Sequence, residues 1–149
     1  MPNFDVHILG NFEKNTNTPY RVEHYLAKLD GTGYELDGTG EVRHGTTGAE
    51  VSALAKQYPG FTYNASLSTT SGTIAGDGTL VLKFFYDRNL HNVIYLYEGL
   101  TPEGTPDESL FAKINVPFGT SITIEDSVNV PGYTFVGWYD RNDASKTII

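Results

Sequence analysis

The sequence contains no cysteine. Disulfides, thiol catalysis and Cys-ligated zinc are therefore excluded. Disulfides are common in secreted domains, but their absence leaves the compartment open. No apolar run approaches the ~20 residues that a bilayer-crossing helix needs, and no membrane insertion is expected. Basic residues are in deficit. Ten Lys and Arg stand against 18 Asp and Glu, a formal net charge of −8. Such a surface repels phosphate backbones and makes nucleic acid a poor partner.

Histidine is sparse. His7, His24, His44 and His91 include no pair at metal-ligand spacing on one helix. His24 falls on an apolar strand face and reads as a hydrogen-bonded core or edge histidine. The Asp/Gly clusters at residues 30–33, 37–40 and 76–78 lack the terminal Glu of an EF-hand loop and read as hairpin turns. No cofactor or metal is expected. Serine and threonine are abundant, but no nucleophile elbow or triad order occurs. Asp87 and Asp140, candidate paired carboxylates, follow their strands into loops and read as turn formers. No catalytic residue is assigned, and no enzyme is expected in modules with so little room for a pocket.

What is abundant is aromatic and small. Ten Tyr, eight Phe and 16 Gly point to strands with frequent turns. Residues 1–18 hold a short apolar alternation, Phe4, Val6 and Ile8, and then a polar linker. Residues 19–90 read as a first unit. Tyr20, Val22, His24 and Leu26 would share one strand face. A second strand spans 34–42, interrupted at Asp37-Gly38. One clear helix is predicted over 47–58. Thr47 and Glu50 have capping-box spacing, and Val51, Leu54, Ala55 and Tyr58 form one apolar stripe. Strands follow at 61–67 and 79–86, the latter with Leu80, Leu82, Phe84 and Tyr86 on one face.

Residues 91–149 read as a second unit. Strands are predicted at 93–97, 110–116 and 133–139, with a loop at 99–108 and an undecided link at 122–130. Four identical residues tie the units together: Tyr86-Asp87-Arg88-Asn89 is echoed by Tyr139-Asp140-Arg141-Asn142. Self-similarity of this kind points to repeats.

Two resemblances cover most of the chain. Residues 20–89 resemble a mucin-binding-protein (MucBP) repeat, through Tyr20-Arg21-Val22-Glu23-His24-Tyr25, Leu29-Asp30-Gly31-Thr32-Gly33-Tyr34, Gly45-Thr46-Thr47-Gly48, Tyr58-Pro59-Gly60-Phe61 and the stretch from Leu80 to Tyr86. Residues 92–149 resemble a Listeria–Bacteroides (internalin-type B) repeat, through Pro117-Phe118-Gly119-Thr120 and the run from Pro131 to Tyr139. The resemblance implies an α+β fold class: two tandem small β-grasp (ubiquitin-like) modules. It also implies that residues 3–13 close a preceding repeat, and that the second module lacks its own last strand. Residues 3–13 would then fill that gap, in cis or from a neighbouring molecule.

The function implied is a non-catalytic repeat segment of a bacterial cell-surface adhesin. It would be extracellular and cell-wall-anchored, acting as spacer and weak platform for host mucin, glycoprotein or glycan. Neighbouring repeats would be its other partners. A dedicated mucin- or glycan-binding module is the alternative. Tyr and Trp are enriched at binding surfaces, and Tyr25, Tyr34 and Tyr63 are the exposed-aromatic candidates for ligand contact.

Overall fold

A computed structural model describes residues 3–97, 107–124 and 128–149. Among these residues there is no helix. Their strands are β1 Thr18–Ala27, β2 Tyr34–Leu36, β3 Glu41–Gly45, β4 Glu50–Ser52, β5 Phe61–Thr69, β6 Ser71–Thr73, β7 Val81–Arg88, β8 Leu90–Tyr97 and β9 Asp107–Pro117. Most of the loop expected at 99–108, and residues 125–127 of the 122–130 link, lie outside the described residues.

The main sheet runs β2-β1-β7-β5, with β3 also paired to β1. β2 and β3 are two halves of one edge, both antiparallel to β1. The centre of the sheet is a parallel pair, β1 with β7, in register from Arg21↔Val81 to Leu26↔Tyr86. Side chains alternate across a strand. Tyr20, Val22 and His24 of β1 therefore share a face with Leu82, Phe84 and Tyr86 of β7, and all six are buried. Ile74 and Ala53 complete this core. Each large apolar side chain buried there contributes about 1.5–3 kcal/mol.

Parallel neighbours need a long crossover, usually helical. Here the sequence predicted a helix over 47–58 within α+β modules of β-grasp type, and the structure corrects both. The segment is extended. Val51 and Ala55 pack on the core and Ala53 is buried within it, while Leu54, in the middle of the supposed stripe, is 90% exposed. The true period is two. Thr47 does not cap; its hydroxyl lies 2.7 Å from that of Thr18. Gly48 follows at φ +78°, outside the helical region. β4 pairs antiparallel with β6, and the amides of Ala53 and Ile74 donate to Thr70 and Ala49 carbonyls. A helix this short is marginal in water, so the β4–β6 ribbon and the burial of Ala53 outweigh it. The described fold is all-β.

β8 and β9 form an antiparallel hairpin, Leu90↔Pro117 to Tyr97↔Asp107, with two register shifts. The strand expected at 133–139 does not form; one isolated bridge, Tyr139↔Ile148, stands in its place. Gly137 at φ +147° takes the backbone out of strand geometry. The echoed tetrapeptides consequently sit in different settings. One ends β7 and the other leads into a turn, where the Asn142 amide donates to Asp140 Oδ1.

The hairpin is rooted at the far end of β7. The Arg88 guanidinium donates to the carbonyls of Ala27 and Phe118 and lies 4.7 Å over the Phe61 ring. The Asn89 amide donates to Gly60, and the Phe118 amide to Asn89. At the other end of the sheet the Thr47 amide donates to the Asn15 carbonyl. Residues 3–13 are exposed and belong to no strand.

Candidate functional site

The core takes one face of the main sheet. The alternation that buries Val22, His24, Phe84 and Tyr86 must send Glu23, Tyr25, Lys83, Phe85 and Asp87 to the other face. Tyr25 and Phe85 are direct partners in the parallel register. Their rings stack at 5.0 Å with planes 16° apart. Tyr34, brought alongside by the β1–β2 pairing, meets Phe85 edge-on at 5.1 Å. Lys83 Nζ stands 6.0 Å from the centre of the Tyr25 ring. Aromatic pairs in these geometries contribute about 0.5–1.5 kcal/mol beyond their burial. The three rings are only partly buried.

Two carboxylates orient this cluster. Glu23 accepts the Tyr25 hydroxyl at 2.6 Å and Arg21 Nε at 2.9 Å. Asp87 accepts the Tyr34 hydroxyl on one oxygen and Asn64 Nδ2 on the other. Hydrogen bonding to Glu23 pushes the Tyr25 phenol above its ordinary pKa, and Asp87 does the same for Tyr34. Both phenols therefore stay protonated donors at neutral pH. A carboxylate offers roughly four lone-pair sites, so Asp87, itself exposed, keeps acceptor capacity for a ligand.

Asn64 is held by a bulge. β5 loses register with β7 between Asn64 and Thr69. Asn64 Oδ1 accepts the amides of Ser66 and Leu67, and Ser68 Oγ donates to the Asn64 carbonyl while accepting the Phe85 amide. The bulge thus aims the Asn64 amide at Asp87. Bulges re-aim side chains in this way at functional edges.

No family model, curated protein or solved structure matches the chain. The likeness to the two repeat families rests on the residues quoted for it.

Of the aromatics singled out in the sequence, the structure brings Tyr25 and Tyr34 together on the outer face. Tyr63 is not with them. It packs on the core side, 6.2 Å from the Phe84 ring and 5.7 Å from that of Tyr86. Phe85, Lys83, Asn64 and Asp87 were missed as members of the cluster. Phe85 could have been found, because the alternation that puts Phe84 in the core puts its neighbour outside. Asn64, in register with Phe85, follows from the same alternation, but the bulge after it that turns its amide toward Asp87 has no marker in the sequence.

The cluster is a half-exposed aromatic surface, two rings stacked and a third set edge-on, bordered by hydrogen-bonding groups. Ring faces carry negative quadrupole density and attract the C–H faces of sugars. Asp87, Asn64 and Lys83 supply acceptors and donors for hydroxyl groups at the rim, while the buried Glu23 holds Tyr25 in place.

Proposed function

We propose that the chain is a non-catalytic, extracellular segment of a bacterial surface protein. It acts as a spacer and as a weak glycan platform through the Tyr25–Phe85–Tyr34 face. The observation that carries this reading is that cluster: three adjoining rings left half-open on a sheet whose opposite face already holds a complete core. Aromatic area with few rotatable bonds is a low-entropy way to make a binding surface. Host mucin, glycoprotein or glycan is the partner class proposed. A single shallow platform suits a dissociation constant of about 1 mM, or −4.1 kcal/mol. Tandem copies on one surface would raise this by avidity.

The test is an NMR titration of the chain with neutral oligosaccharides of the mucin type at millimolar concentration. The expected result is saturable shifts at Tyr25, Tyr34, Lys83 and Phe85, with the Phe84 and Tyr86 signals unmoved. Phe85→Ala should abolish the shifts and leave the core spectrum intact. Shifts absent for every sugar, or unchanged in Phe85→Ala, sink the reading.

A further inference from the structure

The main sheet has two edges, and they differ in charge. β2 and β3 form one edge, which carries Glu35, Glu41 and Arg43 and is interrupted by the turn at 37–40. Charge and interruption are the usual protection of an edge strand against other chains. β5 forms the other edge. Among the described residues β5 pairs with β7 alone. It has no charged side chain, unlike every other strand of the sheet. Between Lys56 and Asp77 the sequence carries no charge at all.

The ladder fixes which main-chain groups β5 turns outward. The Asn89 amide donates to the Gly60 carbonyl, so Gly60 faces β7. Along an antiparallel strand, alternate residues turn their N–H and C=O to the same side. Thr62 and Asn64 therefore face β7 as Gly60 does, while Phe61, Tyr63 and Ala65 face away from it. The Phe61 amide is taken by the Tyr58 carbonyl at 3.1 Å. The outward groups left for a partner are the Phe61 carbonyl, both main-chain groups of Tyr63, and the Ala65 amide. The register shift after Asn64 ends the regular edge there.

This short edge is complementary to itself. Laid antiparallel on a second copy about a two-fold axis through Tyr63, Tyr63 exchanges both of its main-chain bonds with Tyr63 of that copy. The Ala65 amide of each copy then meets the Phe61 carbonyl of the other. Both groups of Tyr63 are used, and the committed Phe61 amide is not needed. Thr62 lies opposite Asn64 of the second copy, so no like charges face each other across the pair. Charge favours the same occupant. Each chain has a formal net charge of −8, and two copies meet least repulsion at the one uncharged strand of the sheet.

We propose that two copies of this chain pair edge to edge through β5, centred on Tyr63, and join their main sheets into one. Main-chain hydrogen bonds supply the affinity, as in other strand additions. The same patch serves both copies, so the contact closes as a dimer and does not propagate. Residues opposite each other in a ladder share a face. The Tyr25–Phe85–Tyr34 clusters of the two copies therefore lie on one side of the joined sheet, three strand spacings or roughly 15 Å apart. The pairing itself stands without the glycan reading.

The test uses the full chain at concentrations up to about 1 mM, since so short an edge gives a weak contact. Analytical ultracentrifugation should show a monomer–dimer equilibrium that stops at two. Raising salt from about 0.01 to 1 M shortens the screening length from about 30 to 3 Å and should strengthen it. Amide exchange followed by NMR reads the register. On association the Tyr63 and Ala65 amides should slow at least tenfold, roughly what one new hydrogen bond gives, while those of Phe61, β2 and β3 stay as they were. Ala65 is exposed, and its amide faces away from β7. Ala65→Pro therefore deletes the donor without breaking the sheet of one copy. It should be monomeric, with the Phe84 and Tyr86 signals unmoved, and so should Ala65→Asp, which sets a charge on the edge. A chain that stays monomeric throughout overturns the proposal. So does association that salt weakens or leaves unchanged, growth past the dimer, or slowed exchange elsewhere with Tyr63 unaffected. Slowing of the Tyr63 amide only on addition of an extended peptide of another sequence would make the edge a peptide site and also overturn it.

Discussion

The phenol of Tyr86 stands 2.9 Å from Nδ1 of His24, both side chains buried in the core. The same oxygen accepts the Lys56 amide at 2.8 Å. Its single proton therefore goes to His24, which makes Nδ1 the acceptor and leaves the hydrogen on Nε2. One hydroxyl thus ties β1, β7 and the extended cover segment together. Tyr86→Phe keeps the ring and deletes that tie. It strands the buried Nδ1 of His24 and the part-buried Lys56 amide, at a cost of about 1–3 kcal/mol. Urea unfolding of the variant measures this, and a loss under ~0.5 kcal/mol, the level of an ordinary surface change, would refute the assignment.

His24 also makes the fold sensitive to acid. Burial, first, and the positive charge of Lys56 hold its pKa below 6.5, against weaker opposing pulls from Glu41 and Asp37. Between the folded value and 6.5 the unfolded chain binds more protons than the folded one. Stability then rises with pH in that window. It is complete above 6.5 and is lost as pH falls below. The urea midpoint should drop between about pH 7.5 and pH 5, and His24→Gln should flatten that part of the profile. Glu41 acts lower. Its ion pairs with Lys56 and Arg43 hold it at about 2, so its contribution fades from 4.5 downward. Being exposed, that network is worth little, about 0–1 kcal/mol. A wild-type midpoint flat above pH 5 would dismiss the histidine term.

The extended cover segment makes a prediction opposite to that of a helix. In a helical stripe Leu54 would be buried. In the structure it is exposed and Ala53 is in the core. Leu54→Asp should change stability by less than ~0.5 kcal/mol. Ala53→Asp puts a carboxylate where no partner waits, and polar burial of that sort costs about 2–7 kcal/mol. Thermal or urea unfolding of the pair decides it. The reverse ranking would restore the helix.

Much of the main sheet was legible because its strands obey a period of two. Tyr20, Val22, His24 and Leu26, and again Leu82, Phe84 and Tyr86, lie on the faces their spacing assigns. Of the Asp-Gly clusters expected as hairpin turns, only residues 30–33 join paired strands, β1 and β2; Asp30 and Asp77 close their own turns by accepting from Thr32 and Thr79, while Asp37 accepts from Tyr58. The crossover was not legible. Val51, Ala53 and Ala55 fit a two-residue period as well as Val51, Ala55 and Tyr58 fit a helical one, and only the partner strand β6, twenty residues on, settles which wins. Residues 133–139 alternate convincingly, yet an apolar alternation cannot say whether a partner strand exists. The platform was half legible, since Tyr25 and Tyr34 stood out by type, while the hydrogen bond from Asn64 to Asp87 depends on a bulge that follows Asn64.

The seat of Phe118 on Gly60 offers a last test, of how the hairpin is fixed to the main sheet. Gly60 has φ +80°, and a Cβ built there would run into the Phe118 ring. Gly60→Ala therefore carries two penalties: the left-handed backbone and the displaced ring. Gly31 has nearly the same backbone, φ +73°, with nothing near its missing Cβ. Gly31→Ala isolates the backbone cost, about 1 kcal/mol. Gly60→Ala should exceed it by a further 1–3 kcal/mol, roughly the cost of overpacking. Phe118→Ala loses the ring's contact with Phe61 and is destabilising alone. In the double variant the clash is gone, so the Gly60→Ala cost should fall back to that of Gly31→Ala. A double-mutant cycle in urea gives the coupling directly. Simple additivity would mean that Phe118 does not hold the hairpin in place.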